Sequence, residues 1–163
     1  IVTCTSIKTA GNAIDEAIVD SLKKNQNLSI GLANAENLKI ELGSAETLVT
    51  EISKEIRGRD IDTGLPRNVS ITSKQIEKAM KKPIQEILEA IVQTLSETPP
   101  ELVSDIMENG IYLAGGGALI KNLDNLIAQK IGVQTFISDT PLDCVAIGTG
   151  KIIENFEKYK RVI

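Results

Sequence analysis

Apolar positions follow two rhythms along this chain. Ile14, Ala17, Ile18 and Leu22 recur at i, i+3, i+4 and i+8, which predicts a helix over 13–25 broken by Asn25 and Asn27. Ala35, Leu38 and Leu42 predict a second helix over 35–42, with Asn34 as N-cap and Gly43 just past the end. From Thr72 to about Ser96 the stripe Ile76, Met80, Ile84, Ile87, Ile91 and Leu95 predicts one long helix, with Pro83 expected to kink or restart it. Shorter runs keep the other rhythm. Residues 1–7 read as a β-branched strand, and 48–57 with 67–72 as an antiparallel pair in which Val69-Ser70-Ile71-Thr72 alternates cleanly. Residues 28–32 read as a brief apolar connector.

Helix starts add detail. Thr72 with Gln75 fits a capping box, as does Thr98-Pro99-Pro100-Glu101, with Pro99 at the first helical position. Thr140-Pro141-Leu142-Asp143 repeats the pattern with Asp143 at N3. Short strands are expected at 110–114 and 133–137, followed by helices at about 119–131 and 141–157 and a frayed tail from Lys158. The order fits a parallel α/β lobe split by an inserted, smaller α+β lobe.

Composition then narrows the function classes. The chain has 163 residues, 42% apolar and 25% charged, the balance of a globular protein. Aromatics are 2% and the net charge is −4, which speaks against base-stacking or phosphate-tracking nucleic-acid binders. There is no His, so His-based triads and His-ligated metal sites are excluded. Cys4 and Cys144 are isolated and read as buried thiols of a reducing compartment. No apolar run approaches the roughly 20 residues of a membrane span. The opening Ile-Val-Thr-Cys, without Met or a signal-peptide pattern, reads as a start within a longer protein.

One segment carries chemistry. In Ile111-Tyr112-Leu113-Ala114-Gly115-Gly116-Gly117-Ala118-Leu119 a buried strand runs into a triple glycine that turns toward a helix. Ligands in α/β folds bind at the carboxyl ends of strands, and glycines let the backbone and the helix start lie against a purine or phosphate. Gly148-Thr149-Gly150-Lys151 imitates a phosphate loop, but Val145 stands at its first glycine position and Ile152 at its Ser/Thr. Those glycines read instead as close-packing positions in the last helix. Glu36 and Lys39, three apart, either pair with each other or face the triple glycine, where the Lys stem would cover an adenine face and the Glu would accept from a ribose hydroxyl or an amino group. Asp143 caps its helix or contacts a nucleoside through water. Arg57-Gly58-Arg59-Asp60 reads as a solvated hairpin tip or an assembly contact. No Asp-x-Gly phosphate loop is present.

Several segments carry a resemblance. They are Asp15-Glu16-Ala17-Ile18-Val19, the run Ala35 to Ala45, Arg57-Gly58-Arg59-Asp60 with Thr63-Gly64-Leu65-Pro66, Thr98-Pro99-Pro100-Glu101-Leu102, Gly115 to Leu119, and Ala146 to Gly150. In order, and over essentially the whole chain, they resemble the second half of the MreB family of bacterial actin-like, rod-shape-determining cytoskeletal proteins. The resemblance implies the carboxyl-terminal half of the actin-like ATPase fold, a ribonuclease H-like lobe with an inserted small α+β lobe. Residues 1–9 and 74–163 would form the larger subdomain and 10–73 the inserted one.

It further implies ATP or ADP in a cleft between two halves. This chain would supply the adenine and ribose side through Glu36, Asn37, Leu38 and Lys39 and through Gly115, Gly116, Gly117 and Ala118. Phosphate loops, the water-positioning acid and the main Mg²⁺-organising groups belong to the other half, so no catalytic or metal-ligating residue is assigned here. Intact family members hydrolyse ATP; this chain alone is expected not to. The implied partners are further copies, stacked head to tail into paired protofilaments, and cell-shape or membrane-linker proteins. Neither nucleic acid nor direct membrane contact is expected of this part. The whole protein is placed in the cytoplasm, at the inner face of the cell membrane. Two rivals remain open: the carboxyl-terminal lobe of a kinase of the same superfold, and a nucleotide-independent interaction module whose glycines serve packing only.

Overall fold

The structure, a computed structural model, describes residues 1–160. In chain order the elements are α1 (Gly11–Gln26), β1 (Leu28–Ser29), α2 (Leu32–Leu42), β2 (Ser53–Asp60), β3 (Pro66–Thr72), α3 (Ser73–Ser96), α4 (Pro100–Asn109), β4 (Ile111–Leu113), a 3-10 turn (Gly116–Leu119), α5 (Leu123–Ile131), β5 (Thr135–Ile137), α6 (Cys144–Glu154) and the single turn α7 (Phe156–Tyr159). Strands β1, β2 and β3 form one antiparallel sheet, and β4 and β5 pair in parallel.

The helical stripes build the core. Ile14, Ile18 and Leu22 of α1, Leu38 and Leu42 of α2, Ile71 of β3, Ile76, Met80, Ile84 and Leu88 of α3, and Ile127 of α5 are buried in one continuous aliphatic cluster. Each such side chain contributes about 1.5–3 kcal/mol by leaving water. Helix α1 stops where Asn27 adopts φ 52° and its N–H caps the Leu22 carbonyl, a conformation asparagine tolerates. Gln75 accepts from the Thr72 N–H at 2.9 Å, as the capping box requires.

Several expectations are corrected. Residues 1–7 form no strand: among the described residues no neighbouring strand takes up their N–H and C=O groups, and Ile1 and Val2 are exposed. Helix α2 starts before Asn34, because the Gly31 carbonyl already accepts from the Asn34 and Ala35 N–H groups at 3.0 and 3.1 Å. The hairpin exists, but β2 lies nearer the turn than 48–57; the ladder starts at Ser53 opposite Thr72, Ile52 only exchanges hydrogen bonds with Ser73 beyond it, and Val49 is fully exposed. Residues 28–32 do more than connect, since Leu28 and Ser29 pair with Asp60 and Arg59. The tip of the hairpin is Ile61 to Leu65 rather than Arg57, which sits opposite Asn68 within the ladder.

Helix α3 runs through Pro83 without a restart. Pro83 is on the buried face, where packing against α1 and α5 offsets the roughly 3 kcal/mol a mid-helix proline costs. Its deep stripe ends in Leu88 rather than Ile87; Ile87, Ile91 and Leu95 are only half-buried. Thr98 does not cap α4: Pro99 holds that position, Pro100 is the first helical residue, and the Thr98 hydroxyl donates back to the Thr94 carbonyl at 2.8 Å.

The parallel pair runs from Ile111 opposite Thr135 to Leu113 opposite Ile137, with the Tyr112 and Phe136 rings 5.2 Å apart between centroids. Gly110 introduces it at φ 81°, where a Cβ would lie 2.7 Å from the Gln134 carbonyl oxygen. Helix α6 begins at Cys144, later than expected, after a turn in which the Thr140 carbonyl accepts from the Asp143 and Cys144 N–H groups; Asp143 is therefore the N-cap residue, not N3. Nothing of α6 is fully buried, and a Cβ on Gly148 or Gly150 would meet nothing within 4 Å, so close packing does not explain these glycines. Cys4 is exposed and Cys144 half-buried, neither a core thiol. Of the tail expected to fray, Lys158 and Tyr159 belong to α7, and residues 161–163 lie outside the described residues.

Candidate functional site

Two walls face each other across a cavity of about 590 Å³. The first is the outer face of α2. Its 3.6-residue period sends Ala35, Leu38 and Leu42 into the core and turns Glu36, Lys39 and Ile40 toward the cavity. The second is the corner after β4. Gly115 takes φ 82° and donates to the Pro141 carbonyl at 2.7 Å, which swings Gly116 and Gly117 into the lining. A Cβ on Gly117 would meet nothing within 4 Å, and one on Gly116 only the Leu142 side chain at 3.6 Å. This surface is bare backbone, and packing does not demand it. The start of α1 (Ala10, Gly11, Asn12) closes one end, with Leu119 and Ile120 beneath.

The predicted site residues divide accordingly. Glu36, Lys39, Gly116 and Gly117 come together on the cavity. Leu38 and Ala118 are buried, Asn37 points to solvent off the lining, and Gly115 shapes the corner from behind. The helix start expected after the triple glycine does not face the ligand space, because the corner closes as a 3-10 turn and α5 begins only after Asn122, itself at φ 61°; the start of α1 lines the cavity instead.

Glu36 and Lys39 do not pair. The Lys39 ammonium turns to Asp15 of α1, 2.9 Å from Oδ1 and 3.0 Å from Oδ2, with hydrogen-bonding geometry only to Oδ2. Both side chains are nearly buried, at 13% and 8% exposure, and Oδ1 has no hydrogen-bond donor. Glu36 has no ion-pair partner among the described residues, so the lining carries one uncompensated carboxylate. A second tie links the walls. Ser44, just past α2, donates to the Lys121 carbonyl at 3.2 Å and accepts from Asn122 Nδ2 at 3.1 Å. The Ala45 N–H and Lys121 Nζ reinforce it, reaching the Lys121 and Glu41 carbonyls.

Sequence reasoning missed Ile40, Leu119, Leu142, Asp15 and Ser44. The first three had a signal: they are large apolar residues off the core stripes, each more than half exposed. Asp15 and Ser44 act through partners 24 and 77 positions away in sequence, which periodicity does not reveal.

Solved structures give this fold its class. MreB 5 of Spiroplasma citri bound to AMPPNP matches with a TM-score of 0.93 at 37% identity, over 99% of this chain and 48% of that one. A MamK double helical filament matches at 0.69 and 20% identity, a likeness of fold alone. The architecture is thus about half of the actin-like ATPase fold. The MreB/Mbl protein family matches residues 1–161, and the cell shape-determining protein Mbl of Bacillus subtilis (strain 168) is 40% identical over 161 residues. The cell shape-determining protein MreB of Escherichia coli (strain K12) is 38% identical over 159. The chain belongs to the MreB/Mbl family, and it spans about half the length of the curated relatives it matches.

Proposed function

We propose that this chain forms the adenine and ribose side of the nucleotide cleft in a filament-forming, actin-like cell-shape protein. The observation that carries the reading is the meeting of bare backbone at Gly116–Gly117 with Glu36 and Lys39 across one cavity. The volume suits a nucleoside, within the roughly 300–1,000 Å³ of small-molecule sites. In this reading the purine lies against the glycine backbone and the Lys39 stem. Glu36 accepts from a ribose hydroxyl, and Ile40, Leu119 and Leu142 exclude water around the ring. A lone carboxylate on the lining repels phosphate, which orients the triphosphate away from this wall. ATP and ADP therefore remain the proposed ligands, and the related MreB 5 structures bound to AMPPNP and ADP support them.

No hydrolytic step is assigned to this chain. Among the described residues no three Cys, Asp or Glu side chains converge as a metal site; in this reading Mg²⁺ is organised mainly by the other half of the fold. Residues 10–73 are read as the smaller subdomain, 1–9 and 74–163 as the larger. Self-association into head-to-tail protofilaments belongs to the same reading and rests on membership of the MreB/Mbl family. The cytoplasmic face of the membrane remains the proposed location for the whole protein, with linker proteins as further partners; no described helix is long and apolar enough to cross a membrane.

The test is titration of ATP and ADP into the chain and into its Lys39→Glu and Gly116→Val variants, each checked for native circular dichroism. The variants are expected to bind at least about tenfold more weakly. Equal binding by all three would falsify the nucleotide site. For the filament reading, the full-length protein carrying this half is sedimented with and without ATP; pelleting that ignores ATP refutes it.

A further inference from the structure

Asp15 is the buried titratable group that the proposed site does not use. It does not line the cavity, yet its carboxylate holds the one ammonium that does. We infer that Asp15 is a positioning residue: it pins Lys39 against the start of α1 and cancels its charge, so that the cleft selects the uncharged nucleoside end of its ligand. This rests on the nucleotide reading above.

Three observations point the same way. The pair is almost fully buried, so its geometry is fixed rather than averaged by solvent. The ammonium reaches the start of α1, lying 3.4 Å from where a Cβ on Gly11 would be. The helices that the pair bridges are already joined by the buried side chains of Ile14, Ile18 and Leu38, so cohesion does not require it. Desolvation largely offsets the attraction of buried ion pairs, which makes them poor sources of stability. What the pair does determine is charge. An unpaired Lys39 would present a cation to the cleft and draw phosphate toward the wrong wall. Paired, it presents only its stem.

Adenosine, which has no phosphate, and ADP are titrated by calorimetry into the 163-residue chain and into Asp15→Asn, Lys39→Met and the double variant, with urea midpoints recorded for each. Asp15→Asn is expected to weaken adenosine about tenfold and ADP distinctly less, because the released ammonium now attracts phosphate. Lys39→Met weakens adenosine, and ADP more, because the Asp15 carboxylate it leaves unpaired repels phosphate; adding Asp15→Asn to it weakens adenosine no further. A merely cohesive ion pair would lower adenosine and ADP by one common factor; an unchanged ratio in Asp15→Asn overturns the proposal while leaving the nucleotide site standing. If Asp15→Asn does not fold, the double variant decides: adenosine binding more than about threefold weaker than in Lys39→Met means that Asp15 acts other than through Lys39. Absence of binding to the unsubstituted chain overturns both the site and this role.

Discussion

Replacing Ser44 with alanine tests whether the two walls of the cavity are held at a fixed spacing. The Ser44 hydroxyl is buried and makes one donated bond of 3.2 Å to Lys121 and one accepted bond of 3.1 Å from Asn122. A third contact, from the Glu46 N–H at 3.4 Å, is too long to count for much. The Lys121 carbonyl keeps its bond from the Ala45 N–H at 2.8 Å, and Asn122, half-exposed, can turn to water. The loss is then two ordinary hydrogen bonds at about 1 kcal/mol each, or about 2 kcal/mol. With a urea slope of about 2 kcal/mol/M for a chain of this size, the midpoint falls by roughly 1 M. The sharper readout is local. With the Ser44 side of the tie gone, the Ala45 amide should exchange with solvent faster than it does in the unsubstituted chain, and adenosine affinity should drop with it. An Ala45 amide as protected as before, together with a midpoint shift under about 0.3 M, would show that Ser44 carries no such tie.

Other outcomes follow from the same geometry. Asp60 is held below the ordinary carboxylate range, chiefly by the Thr63 N–H and by Arg67. Because its folded pKa is depressed, its stabilisation is complete above the unfolded value of 3.8 and is lost as pH falls through the folded one. The stability gap between the native chain and Asp60→Asn should therefore narrow as pH drops below about 4, and a gap independent of pH contradicts this. Gly110→Ala drives a Cβ against the Gln134 carbonyl at a positive φ, and should cost roughly 2–4 kcal/mol in urea unfolding. Gly148→Ala does the reverse, since its Cβ meets open space within α6; a gain of about 0.5–1 kcal/mol, or a rise in helicity, is expected.

Much of this architecture was legible in the sequence because it rests on local rules. The stripes Ile14–Ile18–Leu22 and Ile76–Met80–Ile84 are helical periods and became the core. Gln75 capped its helix because that bond spans three residues. The triple glycine announced a bare corner, and Glu36 and Lys39 fell on the α2 face that turns to it. What failed was what depends on distant partners. Residues 1–7 have strand composition but, among the described residues, no strand beside them. Thr98 has a capping pattern, yet its hydroxyl finds Thr94 first. The Glu36–Lys39 pairing, sensible at i, i+3, was outcompeted by a buried carboxylate on another helix. An exposed pair of that kind is worth only about 0.2–0.5 kcal/mol, less than the cost of leaving the buried Asp15 carboxylate without its cation.

Helix α6 leaves every one of its residues at least partly in water and carries two glycines in its interior. Its 11 residues fall short of the roughly 12–15 at which an isolated helix sustains itself, so its own ladder is too brief to hold it closed. Like α4, which is one residue shorter and also lacks a buried residue, this end of the chain should therefore open at a lower free energy than the α1–α3 core. Anything that seats on Val145 and Ile153 acts as a clamp on this melting end, raising the protein's resistance to unfolding without touching the cleft.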